Sequence, residues 1–284
     1  MRIGNLIHRA GILALLALAP VVLQAHAQHT KADPQLRSNV ALVFDETNSA
    51  ILYSKNADSV APIASITKLM TALVVLEAGQ PLDQVLTVED ADRSTQKGSA
   101  SRLKVGSKLS RRELLHLALM SSENRAAHAL GRNYPGGLAA CVRAMNAKAK
   151  ALGMVHARFF DPTGLDENNV ASPRDLSRLV IAASRNPTIS ALSTDDKYSV
   201  RVGHSTLEFR NTNNLVKKPA WNIVVQKTGY ISEAGKCLVM KAIIDGRSIV
   251  IVLLDSYGKY TRTADANRVR KWLEASAPNG GKPT

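Results

Sequence analysis

The stretch "ASITKLMTALVVLEAG", residues 64–79, places a serine and a lysine three positions apart at the head of a long apolar run. Pro62 stands just ahead of it, and Gly79 and Pro81 close it, so the pattern predicts a helix over 64–79. Residues three apart share a helix face. Ser65 and Lys68 therefore form either a nucleophile with its base or two polar residues at an ordinary helix start. A helix start offers unpaired backbone N–H groups and the positive end of the dipole, and both favour an oxyanion forming beside Ser65.

Working outward, "SNVALVFD" (38–45) and "AILYSKN" (50–56) read as two strands around the turn "ETNS". The middle of the chain is mostly helical. Ser110 and Glu113 form a capping box ahead of "ELLHLALM". "SSEN" breaks the pattern, "RAAHALGRN" resumes it, and "LAACVRAMNAKAKALG" is a helix stopped by Gly153. Ser172, Pro173 and Asp175 open another helix. The last third changes character: "WNIVVQKTGY", "CLVMKAIID" and "SIVIVLLDSY" are β-rich, with Asp245-Gly246 suited to a tight hairpin. A helix around residues 262–275 follows. The expected fold is α/β of the α+β type. A mostly antiparallel sheet is built from the N- and C-terminal segments (about 36–83 and 205–275) and covered by helices. An inserted all-helical lobe spans about 84–204. Together these make one domain over 28–277, with a groove where the lobes meet and a flexible tail at 278–284.

Ser-x-x-Lys alone is a weak signal, because it recurs at Ser94–Lys97, Ser101–Lys104 and Ser256–Lys259. Only Ser65 opens a strongly apolar helix. For Lys68 to act as a base its amine must lose a proton. Moving a lysine from ~10.4 to about 7 costs roughly 4–5 kcal/mol. Burial supplies part of this and a second cation supplies more, so another lysine is expected nearby. Lys227-Thr228-Gly229, at the end of a β-run, provides it. Alternation on an edge strand points Lys227 and Gly229 one way and Thr228 the other. Gly229 lets backbone approach a ligand closely, and Lys227 with Thr228 suits a substrate carboxylate. An exposed lysine at an ordinary strand end is the plainer reading. Ser122 and Asn124 fall between two helical segments, where a hydroxyl can relay a proton and an amide can orient the base. Alternatively Ser121 or Ser122 simply caps the next helix.

Ser-x-x-Lys, then Ser-x-Asn about 57 residues on, then Lys-Thr-Gly about 105 further, is the order found in penicillin-binding proteins and β-lactamases. With "ASITKLMTAL", "MSSENRAA", "FFDPTGLDENNVASPRDLSRL", "NTNNLV" and "VQKTGY", the chain from about residue 38 to 272 resembles the low-molecular-mass D-alanyl-D-alanine peptidases. "NYPGG" and "AMNAKAKALGM" resemble their endopeptidase branch, the penicillin-binding protein 7 type. The resemblance implies Ser65 as the acylated nucleophile, Lys68 as its base and Ser122 as relay. It implies Asn124, Lys227, Thr228 and Gly229 at the substrate, and an oxyanion hole of the Ser65 and Tyr230 backbone N–H groups. Neither metal nor cofactor is implied. Peptidoglycan is the implied substrate, and β-lactams are the implied covalent inhibitors.

Three rivals remain. A carboxypeptidase trims terminal D-alanine; its membrane-held members carry a further C-terminal domain and an anchor, which are not expected in a chain that stops soon after Trp272. A β-lactamase needs a deacylating base, for which Glu167 is the candidate. A basic wall-binding protein with a weak site needs only the charge. No Gly-x-Ser-x-Gly elbow and no His-Glu-x-x-His motif is present. His116 and His128 read as structural.

Arg2 and Arg9, the apolar run from Ala10 to Leu23 and Ala25-His26-Ala27 read as a signal peptide cleaved after Ala27, which predicts export to the periplasm. The run is shorter than the ~20 apolar residues of a spanning helix. The formal charge is +14, of which Arg2 and Arg9 supply only two. An exported basic chain is expected to meet anionic wall polymer or lipid headgroups in loose association rather than nucleic acid. Export also permits a disulfide. Cys141 lies in an expected helix and Cys237 in an expected strand, which leaves their pairing open.

Overall fold

The computed structural model describes residues 33–94 and 101–275. The expected signal peptide, the tail and Lys97 lie outside the described residues.

In chain order, strands β1 (Val40–Asp45), β2 (Ala50–Lys55) and the two-residue β3 (Ala61–Pro62) lead into a single 3-10 turn, Ala64–Ile66. Helix α1 (Thr67–Glu77) follows, then the short strands β4 (Val85–Thr87) and β5 (Lys108–Ser110). Helices α2 (Arg111–Met120), α3 (Asn124–Arg132) and α4 (Gly137–Ala151) come next. Strand β6 (Val170–Ala171) precedes α5 (Pro173–Ser184) and α6 (Pro187–Thr194). Strands β7 (Lys197–Val202) and β8 (Ser205–Arg210) form a hairpin. The long strands β9 (Asn222–Ile231), β10 (Gly235–Ile244) and β11 (Arg247–Ser256) and helix α7 (Thr261–Glu274) complete the fold.

The main sheet has five strands in the order β2-β1-β11-β10-β9, every neighbour antiparallel. It draws on both ends of the chain. Asp245 and Gly246 both take positive φ (48° and 72°), which closes the tight β10–β11 turn with Ile244 opposite Arg247. The run Ile249–Leu254 is buried on both faces. Ile249, Ile251 and Leu253 join the core beneath α7, with Ala266, Val269 and Leu273. Val250, Val252 and Leu254 join the larger core, which contains α1 and the helical region. Each such side chain contributes about 1.5–3 kcal/mol by leaving water. Helix α7 is also tied by Asp265, a buried carboxylate that accepts from the Ser38 N–H and the Ser38 hydroxyl, both at 2.7 Å.

The caps expected at Ser110 and Ser172 are present. The helical region, however, is not all-helical, because β4 pairs with β5 and β7 lies within it. Three-residue strands are too short to show a period. The β7–β8 hairpin turns at Gly203-His204, so a boundary at 204/205 falls within it. Cys141 on α4 and Cys237 on β10 are unpaired and buried, and burial pushes their thiols up to about 12 and about 11. Among the described residues no helix is long and apolar enough to cross a membrane.

Candidate active site

Residues 64–79 form a helix with a tighter start than expected. Ala64 sits at φ 47°, and the 3-10 turn Ala64–Ile66 carries Ser65 before α1 begins. Every residue from Thr67 to Val75 is buried, so α1 runs through the core with protein on all sides. That burial reaches Lys68. Its Nζ lies 2.8 Å from Ser65 Oγ, 2.7 Å from Asn124 Oδ1 and 2.6 Å from the Thr163 carbonyl oxygen. Burial lowers the amine to about 7, against the opposing pull of Asp161 and Glu123. Removal from water is the largest cause, and the second lysine expected nearby is Lys227, whose own amine feels the Lys68 charge.

The second piece lies between α2 and α3. Ser122 takes φ 62°, a left-handed conformation rare for serine. Its hydroxyl accepts from Lys227 Nζ at 2.8 Å. Neither Ser121 nor Ser122 caps α3; Glu123 does, through Arg125 N–H. Asn124 is the first residue of α3 and turns its side-chain oxygen to Lys68.

The third piece is β9, an edge strand of the sheet as expected. Lys227 is fully buried rather than an exposed strand-end lysine. It also donates to the Thr228 carbonyl at 2.8 Å. Burial, then the charges of Lys68 and Arg262, hold its amine well below the usual lysine range. The Thr228 hydroxyl is 2.6 Å from that of Thr212. A Cβ on Gly229 would stand 3.0 Å from the Ile63 carbonyl oxygen and 3.2 Å from the Ser65 nitrogen. The missing side chain lets β9 lie against the turn that carries Ser65. Tyr230 follows directly on the same edge. The three motifs, far apart in sequence, thus meet around a Ser65 that is 8% exposed.

Several neighbours were not read in the sequence. Asp161 shapes the loop that delivers the Thr163 carbonyl: its Oδ1 accepts from the Thr163 and Gly164 N–H groups at 2.5 Å, and its Oδ2 from Asp166 N–H at 2.8 Å. Gly164, at φ 80°, is packed so closely that a Cβ would stand 1.9 Å from the Ala64 carbonyl oxygen. Arg262, reaching from α7, donates to the Gly229 and Cys237 carbonyls at 2.8 and 3.0 Å. "DPTG" was the available signal for the loop. Arg262 had none, because only the fold brings α7 to β9. Glu167 is exposed, and the loop presents a backbone carbonyl to Lys68 instead. His116 stacks on Tyr198 at 4.0 Å, and His128 Nδ1 is 2.8 Å from Asp92. A separate apolar groove of about 550 Å³ beside Met154 and Phe160 is lined by none of the candidate residues.

Gly164→Ala is expected to destabilise the protein by about 3–5 kcal/mol, since overpacking adds to backbone strain. The turn carrying Ser65 should shift with it. Chemical denaturation measures this, and a loss below about 1 kcal/mol would mean the turn adapts freely.

An antiparallel sheet between helices, with a Ser–Lys pair at the root of a buried helix, is the architecture of a serine D-alanyl-D-alanine peptidase. Comparison with known proteins agrees. A family model described as D-alanyl-D-alanine carboxypeptidase, peptidase S11, matches residues 27–258, and the chain belongs to that family. It is 52% identical over 242 residues to a D-alanyl-D-alanine endopeptidase of Pseudomonas aeruginosa, covering 84% of this chain and 78% of that one. It is 47% identical over 268 residues to one of Escherichia coli, covering 92% and 86%. The crystal structure of the Streptomyces K15 DD-transpeptidase is similar, with a TM-score of 0.79 at 28% identity, covering 86% of this chain and 99% of that one.

Proposed function

We propose that this protein is a D-alanyl-D-alanine endopeptidase that cuts D-alanyl cross-links in peptidoglycan through an acyl-Ser65 intermediate. The observation that carries this is the set of partners around Lys68. A neutral amine has two N–H bonds and one lone pair. The Asn124 side-chain oxygen and the Thr163 carbonyl can only accept, so they take the two N–H bonds. The lone pair is left for the Ser65 hydroxyl at 2.8 Å. Lys68 then removes that proton as Oγ attacks the D-alanyl carbonyl. The oxyanion forms against the Ser65 and Tyr230 backbone N–H groups. Ser122, held by Lys227, passes the proton to the departing amine. Lys227 and Thr228 receive the substrate carboxylate, whose charge restores that of the buried Lys227. Water then attacks the ester and frees Ser65.

The endopeptidase relatives at 52% and 47% identity support cross-link cleavage over trimming, against a carboxypeptidase relative from Streptomyces at 31%. Export with cleavage after Ala27 belongs to this reading, as does loose association of the basic surface with anionic wall or membrane. The exposed Glu167 argues against a β-lactamase.

The test is intact mass after incubation with benzylpenicillin, followed by peptide mapping. One penicilloyl group on the peptide holding Ser65 is expected. No adduct with the drug intact would end the proposal, and no adduct with the drug hydrolysed would indicate a β-lactamase. A cross-linked muropeptide dimer should then fall to monomers faster than a pentapeptide loses its terminal D-alanine.

Acylation should depend on pH with a definite sign. Lys68 is a base only when neutral, and its amine sits at about 7. The second-order rate with benzylpenicillin should level off above that pH and fall about tenfold per unit below it. A flat profile between pH 5.5 and 8.5 would remove Lys68 from the role.

A further inference from the structure

The groove of about 550 Å³ that lies apart from the candidate residues runs between the end of α4 and the segment 153–160. Its floor is buried and consists of Ala149, Met154, Ala157 and Phe159. Val155 and Phe160 stand on its walls, 67% and 56% exposed. Hydrogen bonds hold it open. The Asn146 side chain accepts from the Phe159 N–H at 3.0 Å and donates to the Phe159 carbonyl at 2.7 Å. Arg158 exchanges both of its backbone hydrogen bonds with Val170, at 2.9 and 3.0 Å, and the Phe160 N–H donates to the Asn169 side chain at 2.7 Å. The backbone N–H groups of 158–160 are therefore engaged. This wall is no edge for a further strand, and it recognises a partner through its side chains.

The charged side chains of the lining have one sign. Lys150 and Arg158 are both exposed there, and no carboxylate is among the residues that form it. The Arg158 guanidinium donates to the Val155 and Ala157 carbonyls at 3.4 and 2.6 Å, which fixes it beside the apolar wall. Among the described residues neither Arg158 nor Lys150 forms an ion pair. Asp175 of α5 reaches the same segment, but it is buried and already accepts from the His156 N–H at 2.9 Å and from Arg178 at 3.3 Å. Methionine, aromatic and arginine side chains around a recess are the types that anchor protein contacts. A bilayer surface is broad and does not reach a buried floor, whereas a protruding side chain does. The complement of this groove is an apolar side chain with carboxylates beside it.

We propose that this groove docks an acidic segment of a partner protein. The segment inserts one large apolar side chain against Met154 and Phe160 and sets carboxylates on Lys150 and Arg158. The proposal does not rest on acylation of Ser65. The probe is a displayed library of random peptides, panned on the full chain and counter-selected on a variant carrying Phe160→Ser and Arg158→Gln. Selected sequences should carry a leucine, isoleucine, methionine or phenylalanine flanked by aspartate or glutamate. The strongest of them, made as a fluorescent peptide, should lose about three- to tenfold in affinity when its acids become amides, as two exposed charge pairs allow. It should lose about ten- to a hundredfold when its apolar anchor becomes serine. Lys150→Glu with Arg158→Glu should turn the preference from acidic to lysine-bearing peptides at an unchanged melting temperature, and that reversal separates recognition from misfolding. A library that enriches nothing sensitive to the counter-selection would overturn the proposal. So would neutral or basic selected sequences, or an acid preference that survives the charge reversal. Binding of the native chain, but not of the Phe160 variant, to phosphatidylglycerol vesicles would assign the groove to a membrane and overturn it equally.

Discussion

Ser65→Ala protein is expected to gain no mass from benzylpenicillin and to release no monomer from cross-linked muropeptide. The substitution removes one oxygen at a nearly closed position, so the fold should survive and the loss should be chemical. The groups that lower barriers by positioning alone remain. On the proposed mechanism, Asn124, Lys227 and the backbone N–H groups of Ser65 and Tyr230 would still bracket a bound carbonyl, and the Ser65 position keeps its N–H in the variant. Any residual activity should therefore lie orders of magnitude below the native rate, as when a nucleophile is deleted from a preorganised site. Circular dichroism and melting should match the native protein, which separates this result from unfolding. A full-strength adduct in the variant would place the nucleophile elsewhere.

Lys68→Arg should lower the acylation rate by about 10²–10⁴, the usual worth of a positioned base. A guanidinium remains protonated and has no lone pair to offer. It is also larger, planar and fully charged in a place where three oxygens already sit within 2.8 Å of one nitrogen and leave no room for a wider group. Stability should fall as well, because burial at this site disfavours charge and lowers the lysine to about 7, whereas arginine stays charged. The sign follows from the shift. A lysine at about 7 in the folded protein and near its ordinary value when unfolded binds fewer protons folded than unfolded between those limits. Its burial therefore costs stability at neutral pH, and the deficit shrinks as pH rises toward 10. The arginine variant has no such release at any accessible pH. An Arg variant that acylated at the native rate would show that another group takes the Ser65 proton.

Much of this site was legible because its chemistry rests on side chains with few substitutes. Ser65–Lys68, Ser122–Asn124 and Lys227-Thr228-Gly229 announce themselves by type, order and place at element ends, and the fold brings all three together. What was hidden is backbone. The Thr163 carbonyl that fixes the amine would be offered by any residue at that position, so no spacing rule points to it. Gly164 matters through the 1.9 Å that a Cβ would leave, a distance no composition contains. Arg262 reads as one more cation on an amphipathic helix until α7 is seen against β9. The sheet was legible from the long runs of its last three strands. The β7–β8 hairpin was not, although Tyr198, Val200 and Val202 alternate with polar residues and Gly203 marks the turn. The burial of Lys68 and a second lysine near it were both expected, and Lys227 is that lysine.

The sheet order has a consequence for how the molecule comes into being. Strand β1 is flanked on one side by β11, and Ser38 is bound to Asp265, 227 residues later. Such pairings raise the contact order and defer closure of long loops to the end of folding. A ribosome that has made the Ser65 helix and the Asn124 turn has still not made Lys227, Arg262 or the strand that locks β1 in place. The chain thus carries Ser65 and Lys68 well before the strand and helix that complete their surroundings exist, and the sheet around them can close only once its final segments are available.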